Sequence, residues 1–186
     1  MLGARRSHVG TTVIPMRLTD YTDYSLRVLL YLTVRRDRLA TIQEIAEAYG
    51  VSKNHLMKIA QRLGELGWIE TVRGRKGGLR LAPDSTHLTI GRIVRETESD
   101  FALAPCFARH GSDAAAGDVE QTCVIAPSCQ LKDVFARARD AFLRELDNHT
   151  LAQISEPSAA LSTLLGMTPI RVIRHTETSV AEAALG

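Results

Sequence analysis

The sequence of 186 residues is 45% hydrophobic and 24% charged, which is typical of a globular protein with one sizeable core or two small ones and excludes a disordered chain. It contains no run of about 18 apolar residues that would span a membrane. The net charge of +2 conceals two halves of opposite sign, because residues 16–97 carry 14 Lys and Arg against 9 Asp and Glu (net +5), whereas residues 98–186 carry 7 against 12 (net −5). A basic amino-terminal half favours a polyanionic partner.

The amino-terminal stretch 1–15 lacks the apolar segment of a signal peptide, so we expect a cytoplasmic protein with no membrane partner. It shows no helical or strand period, and Met16 offers an alternative start of the chain. We therefore predict that residues 1–15 are a flexible or misannotated extension.

Hydrophobic periodicity predicts three helices in the basic half. The first covers residues 19–35, the second opens with a capping box formed by Thr41 and Glu44, and the third begins at Ser52, a good N-cap residue. Only residues 50–52 separate the second and third helices, and so short a turn makes the helices cross steeply. This pattern predicts a helix-turn-helix.

A predicted β-hairpin follows the third helix. Residues 68–72 form one strand, residues 73–78 a flexible glycine-rich tip, and residues 79–81 the return strand. A further helix starts at Thr89. The order of helix, helix-turn-helix and hairpin predicts a mainly α fold, with a winged helix-turn-helix DNA-binding domain over residues 16–97.

The acidic half divides into three segments. We predict a cysteine-bearing loop that binds a metal group over residues 98–130, a dimerisation helix region over 131–155, and a weakly ordered tail over 156–186. The helix is predicted from apolar residues at spacings of four, three and four, namely Leu131, Phe135, Ala138 and Phe142. Because a chain of this size offers little else to cover the apolar face of this helix, we favour a dimer interface over packing against the winged domain.

Two sets of polar and basic residues are candidates for contact with double-stranded DNA. On the third helix they are Ser52, Lys53, Asn54, His55 and Lys58. In the wing they are Arg73, Arg75, Lys76 and Arg80. The helix residues suit base edges and phosphates, although a solvated helix face is the alternative. The wing decides for DNA, because it holds four cations and no acid in eight residues.

All three cysteines fall within 24 residues, at Cys106, Cys123 and Cys129. Their odd number disfavours a structural disulfide, and their confinement to one loop argues against inert buried thiols. Two metal sites remain open from spacing alone. One is a zinc site completed by His110, and the other is an iron-sulfur cluster.

An enzyme that uses Cys123 or Cys129 as nucleophile and His110 or His149 as base is a further alternative, which rests on residue type alone. The sequence contains no phosphate-binding loop, no paired catalytic carboxylates and no nucleophile elbow. We therefore predict a protein that is not an enzyme.

Five motifs together cover most of residues 16–155. They are MRLTDYTDYSLRVL from Met16, YGVSKNHLMKI from Tyr49, VRGRKGGLRL from Val72, CQLK from Cys129 and LDNHTLA from Leu146. These motifs resemble those of the nitric-oxide-sensing iron-sulfur repressors, which belong to the family of dimeric winged-helix regulators that includes the iron-sulfur assembly regulator IscR.

The resemblance implies a homodimer that represses transcription from an inverted-repeat operator, with half-sites about one helical turn (~10 bp) or a multiple apart. It implies that Cys106, Cys123 and Cys129 ligate an iron-sulfur cluster, most commonly 4Fe-4S, and that nitric oxide destroys the cluster and releases the DNA. By the family pattern the fourth ligand is Asp23 of the partner subunit. The alternative fourth ligands are His110, Glu98 and Glu120. Asp23 is otherwise a carboxylate that interacts with the dipole of its own helix.

One departure from the family pattern is the longer loop between Cys106 and Cys123, which an Ala, Gly and Asp-rich insert extends. A loop absorbs such an insert at little cost, because closure entropy grows only logarithmically with length. The alternatives to a nitric oxide sensor are a zinc-stabilised or otherwise-gated winged-helix regulator and a regulator of iron-sulfur cluster assembly genes.

Overall fold

The structure is a computed structural model that describes residues 17–99, 101, 103, 125, 128–156 and 158–167. Its helices are α1 (Asp20–Val34), α2 (Ile42–Tyr49), α3 (Lys53–Glu65), α4 (Ile90–Thr97), α5 (Gln130–Asp147), α6 (Leu151–Ile154) and α7 (Ser158–Leu164). Its strands are β1 (Ile69–Val72) and β2 (Gly78–Leu81), and a 3-10 helix covers Pro83–His87. None of the described helices is long and apolar enough to cross a membrane. The prediction of a mainly α winged helix-turn-helix fold is confirmed.

Local capping defines the helix-turn-helix. The Thr41 hydroxyl accepts a hydrogen bond from the Glu44 amide (3.2 Å) and the Glu44 carboxylate accepts one from the Thr41 amide (2.7 Å), which completes the predicted capping box. Gly50 ends α2 in a left-handed conformation (φ 64°), where glycine avoids the penalty of a Cβ atom. Ser52 occupies the N-cap position of α3, but its side chain makes no capping hydrogen bond. The amino terminus of α3 therefore keeps donors available for another acceptor.

The wing is an antiparallel hairpin in which Glu70 pairs with Arg80 and Val72 with Gly78. A second connection ties it to the segment before α2, because Ala40 and Leu79 exchange two backbone hydrogen bonds of 2.9 and 2.7 Å. A Cβ atom on Gly78 would lie 2.7 Å from the Ala40 carbonyl oxygen, so this close approach requires glycine. The base of the wing is thus fixed to the helix-turn-helix.

The core lies where α1 packs against α3 and α4. Its fully buried side chains include Leu29 and Leu32 from α1, Leu56 and Leu63 from α3, and Ile93 from α4. Burial of such side chains stabilises by about 1.5–3 kcal/mol each. The core therefore holds α3 against α1.

Helix α5 docks onto α4 through its carboxyl-terminal end. Arg95 donates two hydrogen bonds of 2.6 Å to the Asp147 carboxylate, and Gly91 leaves room for that carboxylate. Leu143 is the buried residue of α5, whereas Leu131, Val134, Phe135 and Phe142 are 36–58% exposed. Helix α7 forms within the stretch that the sequence predicts to be weakly ordered, and Met167 after it is 5% exposed.

Candidate DNA interface and cysteine site

The polar face of α3 is open to solvent. All five helix residues predicted to contact DNA are exposed: Ser52, Lys53, Asn54, His55 and Lys58. The opposite face carries Leu56, Ile59, Ala60 and Leu63, which are at most 5% exposed. Helix α3 is therefore anchored by one face and offers the other to a ligand, as a recognition helix does.

His55 differs from the other polar residues of α3 because it also contacts α1. The rings of Tyr24 and His55 meet edge to face, with centroids 5.6 Å apart and an interplanar angle of 79°. Such a contact fixes the imidazole at the start of the recognition helix. It also makes α1 and α3 direct neighbours at the amino-terminal end of α3.

Sequence reasoning missed two exposed residues on the same face of α3, Met57 and Gln61. They lie three and seven positions after Asn54, so the helical repeat places all three on one face. Met57 is 44% exposed, and the Gln61 amide donates to Glu65 (3.2 Å). The 3.6-residue period would have identified both positions, but Met57 is apolar and was not among the polar candidates.

The four wing cations are not equivalent. Arg73, Arg75 and Lys76 are exposed, and within the described part of the chain they form no ion pair. Arg80 instead donates to the carboxylate of Glu70, with nitrogen-to-oxygen distances of 2.6 and 2.5 Å. The wing tip therefore presents three uncompensated positive charges to an anion.

Asp23 lies in the first turn of α1 and is paired within its own chain. Its Oδ2 accepts a 2.8 Å hydrogen bond from Nε of Arg27, and this bond raises the pKa of the Arg27 guanidinium. The guanidinium also lies over the ring of Tyr49, 5.5 Å from its centroid. Burial raises the pKa of Tyr49 to about 12, and its buried hydroxyl has no hydrogen-bond partner among the described residues. Asp23 thus connects through Arg27 to the last residue of α2.

Of the three cysteines, Cys129 is the one that the structure describes. It is a free, partly exposed cysteine at the N-cap position of α5, and its side chain makes no capping hydrogen bond. Cys106 and Cys123 lie outside the described residues, as do the alternative ligands His110 and Glu120. Among the described residues, no three His, Cys, Asp or Glu side chains cluster as metal ligands. The three-cysteine site therefore stays a prediction.

The remaining candidates have other partners. Glu98 accepts hydrogen bonds from the amide and the hydroxyl of Thr19 (2.7 and 3.1 Å), so it binds the amino terminus of α1. His149 contacts the carboxylate of Glu145 (3.2 Å) in the same chain. None of these contacts brings Glu98 or His149 next to Cys129.

The winged helix-turn-helix, with a recognition helix exposed on its polar face and a basic wing, defines the class of DNA-binding transcriptional regulators. Residues 18–157 match the family model described as "Rrf2: Iron-dependent Transcriptional regulator". The chain belongs to this Rrf2 family.

The sequence relatives are also transcriptional regulators. The chain is 46% identical over 151 residues to the HTH-type transcriptional regulator NsrR of Geobacillus kaustophilus, covering 81% of this chain and 97% of that protein. It is 46% identical over 153 residues to NsrR of Bacillus subtilis, covering 82% and 99%. These NsrR relatives confirm the predicted resemblance. They also confirm the prediction of a transcriptional regulator rather than an enzyme.

Solved structures confirm the fold. The oxidised form of Staphylococcus aureus CymR matches with a TM-score of 0.56 and 25% identity, over 76% of this chain and 97% of that one. T. potens IscR matches with a TM-score of 0.56 and 20% identity, over 75% and 85%. Both comparisons cover most of the described chain.

Proposed function

We propose that the chain is a dimeric repressor whose hold on an inverted-repeat operator depends on a nitric-oxide-sensitive iron-sulfur cluster. The proposed ligands are Cys106, Cys123, Cys129 and Asp23 of the partner subunit, with 4Fe-4S as the cluster type. The observation that carries this proposal is the position of α1. This helix bears Asp23 and also contacts both helices of the helix-turn-helix, through Tyr24 and Arg27.

The described ligands are suited to the cluster. Cys129 is free and partly exposed at the amino terminus of α5, so its sulfur is accessible to a metal group. Arg27 binds only Oδ2 of Asp23, so Oδ1 remains available to a metal, and the side chain is 43% exposed. The family description as iron-dependent agrees with a thiolate and carboxylate donor set. The bound cluster would supply a group that nitric oxide destroys.

Coupling to DNA follows from the neighbours of Asp23. A carboxylate held by the other subunit would fix the start of α1, and Tyr24 and Arg27 would transmit that position to His55 and Tyr49. Release of the carboxylate would leave Asp23 bound to Arg27 alone. The spacing of two recognition helices would then no longer match the two half-sites.

Dimerisation is proposed through α5. Leu131, Val134 and Phe142 lie on one stripe of this helix and are 58%, 46% and 46% exposed, while Leu143 on another side packs into the core. An apolar stripe of this length on a soluble regulator suits a second copy of the same helix.

The cluster is tested by anaerobic purification followed by iron and sulfide analysis, visible absorption, and nitric oxide titration during an operator-binding assay. We expect iron and sulfide in the protein and loss of DNA binding as nitric oxide is added. Zinc in place of iron would contradict the cluster and favour a zinc-stabilised regulator. Binding only to promoters of iron-sulfur assembly genes would favour a regulator of cluster assembly over a nitric oxide sensor.

Asp23→Ala tests the coupling. We expect the variant to keep the fold and the recognition surface but to alter cluster stability or the nitric oxide response. Asp20→Ala is the matched control, because Asp20 lies in the same helical turn and Arg17 is its ion-pair partner, at 4.0 Å. An Asp23→Ala protein that behaves like wild type in both assays would remove Asp23 from the mechanism.

Val134→Asp tests the dimer. A charge in the exposed apolar stripe should convert the protein to monomers, as measured by sedimentation equilibrium. Arg144→Asp introduces the same side chain two positions after Phe142, where the helical period turns it away from the apolar stripe, and this variant should remain dimeric. A Val134→Asp protein that stays dimeric would contradict the proposed seam.

A further inference from the structure

Met57 is the exception among the apolar residues of the recognition helix. It is 44% exposed, whereas Leu56, Ile59, Ala60 and Leu63 are 2%, 0%, 5% and 0% exposed. The core therefore does not use Met57, although its neighbours on both sides in sequence are a buried leucine and an exposed lysine. Isolated exposed apolar residues are common, so the position of this one decides its meaning.

That position is the middle of the face that would enter the major groove. Met57 follows Asn54 by three residues and precedes Gln61 by four, so it lies one turn from each on the same face. The Gln61 side-chain amide donates to Glu65. At this level of the helix an apolar surface, flanked by Asn54 and Lys58, is what remains for contact with a base.

The major groove offers one apolar group, the C5-methyl of thymine, and apolar side chains contact it in sequence-specific complexes. Methionine is unbranched and polarisable, so it adapts its shape to such a surface. We propose that Met57 determines specificity by contacting the methyl group of one thymine in each half-site of the operator. This inference rests on the proposed DNA-binding function and assigns a base type to one position of the recognition helix.

The experiment uses the full chain, purified anaerobically. Preferred sequences are first selected from random DNA duplexes, and each thymine of the selected site is then replaced by deoxyuracil, which removes only the methyl group. We expect one symmetry-related thymine pair at which each replacement weakens binding about three- to fivefold, the factor that burial of one methyl group corresponds to. Met57→Ala should bind the thymine and uracil duplexes equally.

Two variants serve as controls. Met57→Leu keeps an apolar side chain and should keep most of the preference for thymine. Leu164→Ala removes an exposed apolar side chain from α7, where Leu164 is 82% exposed, and should bind both duplexes as wild type does. Thermal unfolding of each variant verifies that the fold is intact.

The outcomes separate this inference from the function on which it rests. If the wild-type protein selects a sequence but Met57→Ala keeps the full loss at every uracil position, the assignment of Met57 is wrong and the DNA-binding function stands. A selected site with no methyl-sensitive thymine has the same consequence. If the wild-type protein selects no sequence and binds no duplex, both proposals fail.

Discussion

Replacement of Arg75 by Ala should weaken DNA binding in a way that depends on salt. Arg75 lies at the wing tip, is exposed and has no ion-pair partner within the described residues. Each phosphate contact releases about 0.9 counterion, so loss of one contact makes the slope of log K against log salt less negative by about 0.9. Over the interval from about 50 to about 200 mM salt, the affinity advantage of wild type over Arg75→Ala should therefore shrink by a factor of about 3.5.

Arg80 provides the matched comparison in the same hairpin. Its guanidinium is bound to Glu70 through two nitrogens (2.6 and 2.5 Å), so the pair contributes no net charge to the wing. Removal of both charges in Glu70→Gln/Arg80→Gln should leave the salt slope unchanged. Glu70→Gln alone frees Arg80, and the slope should become more negative by up to about 0.9.

Fluorescence anisotropy with a labelled duplex, titrated at five or more salt concentrations, measures these slopes. An unchanged slope for Arg75→Ala would show that the wing tip does not contact phosphate. If the slope became less negative by the same amount for Arg75→Ala and for Glu70→Gln/Arg80→Gln, the argument that Glu70 neutralises Arg80 would be refuted.

Three further predictions concern stability, each measured by urea unfolding. Thr41→Ala removes the hydrogen bond that the Glu44 amide donates to the Thr41 hydroxyl and should cost about 1 kcal/mol, whereas Thr41→Ser should cost less. The hydrogen bonds from Arg38 and then from Thr41 hold the pKa of Glu44 at about 2, below its ordinary 4.5, so Glu44 stabilises the fold above about pH 4.5 and loses that effect towards pH 2. Because the carboxylate is 32% exposed, the difference between wild type and Glu44→Gln should be about 1 kcal/mol at pH 6 and vanish near pH 2. Gly91→Ala should not stabilise the wild-type protein, because the added Cβ would lie 2.1 Å from Oδ1 of Asp147. In an Asp147→Ala background the same substitution should raise the free energy of unfolding by up to about 1 kcal/mol. An equal effect in both backgrounds would contradict the contact.

Local features of the fold were predictable from the sequence. The capping box of Thr41 and Glu44, the left-handed Gly50 and the position of Ser52 before α3 all depend on residues within a few positions of one another. The buried stripe of α3 follows the helical period for the same reason. These features were sufficient to predict the order of elements in the winged helix-turn-helix.

Contacts between distant residues were not predictable in this way. Arg95 and Asp147 are 52 residues apart, and Thr19 and Glu98 are 79 apart. Residues 73–80 of the wing contain four cations and no acid. Glu70 lies outside this stretch and comes opposite Arg80 only through the strand register. The register therefore reduces the uncompensated charge of the wing from four cations to three.

The three uncompensated cations of the wing tip and the exposed face of α3 should contribute differently to DNA binding, the first to affinity and the second to sequence specificity. Phosphate contacts position a protein on DNA, whereas base contacts determine the sequence that it prefers. Arg73, Arg75 and Lys76 are exposed cations on the glycine-rich tip of the wing, so their removal should change the salt slope while the preferred sequence stays the same. Asn54 and Met57 lie on a helix held by a buried core, so their removal should change the preferred sequence while the salt slope stays the same. A wing variant that altered the preferred sequence would show that the wing also contacts bases or reads the width of the minor groove.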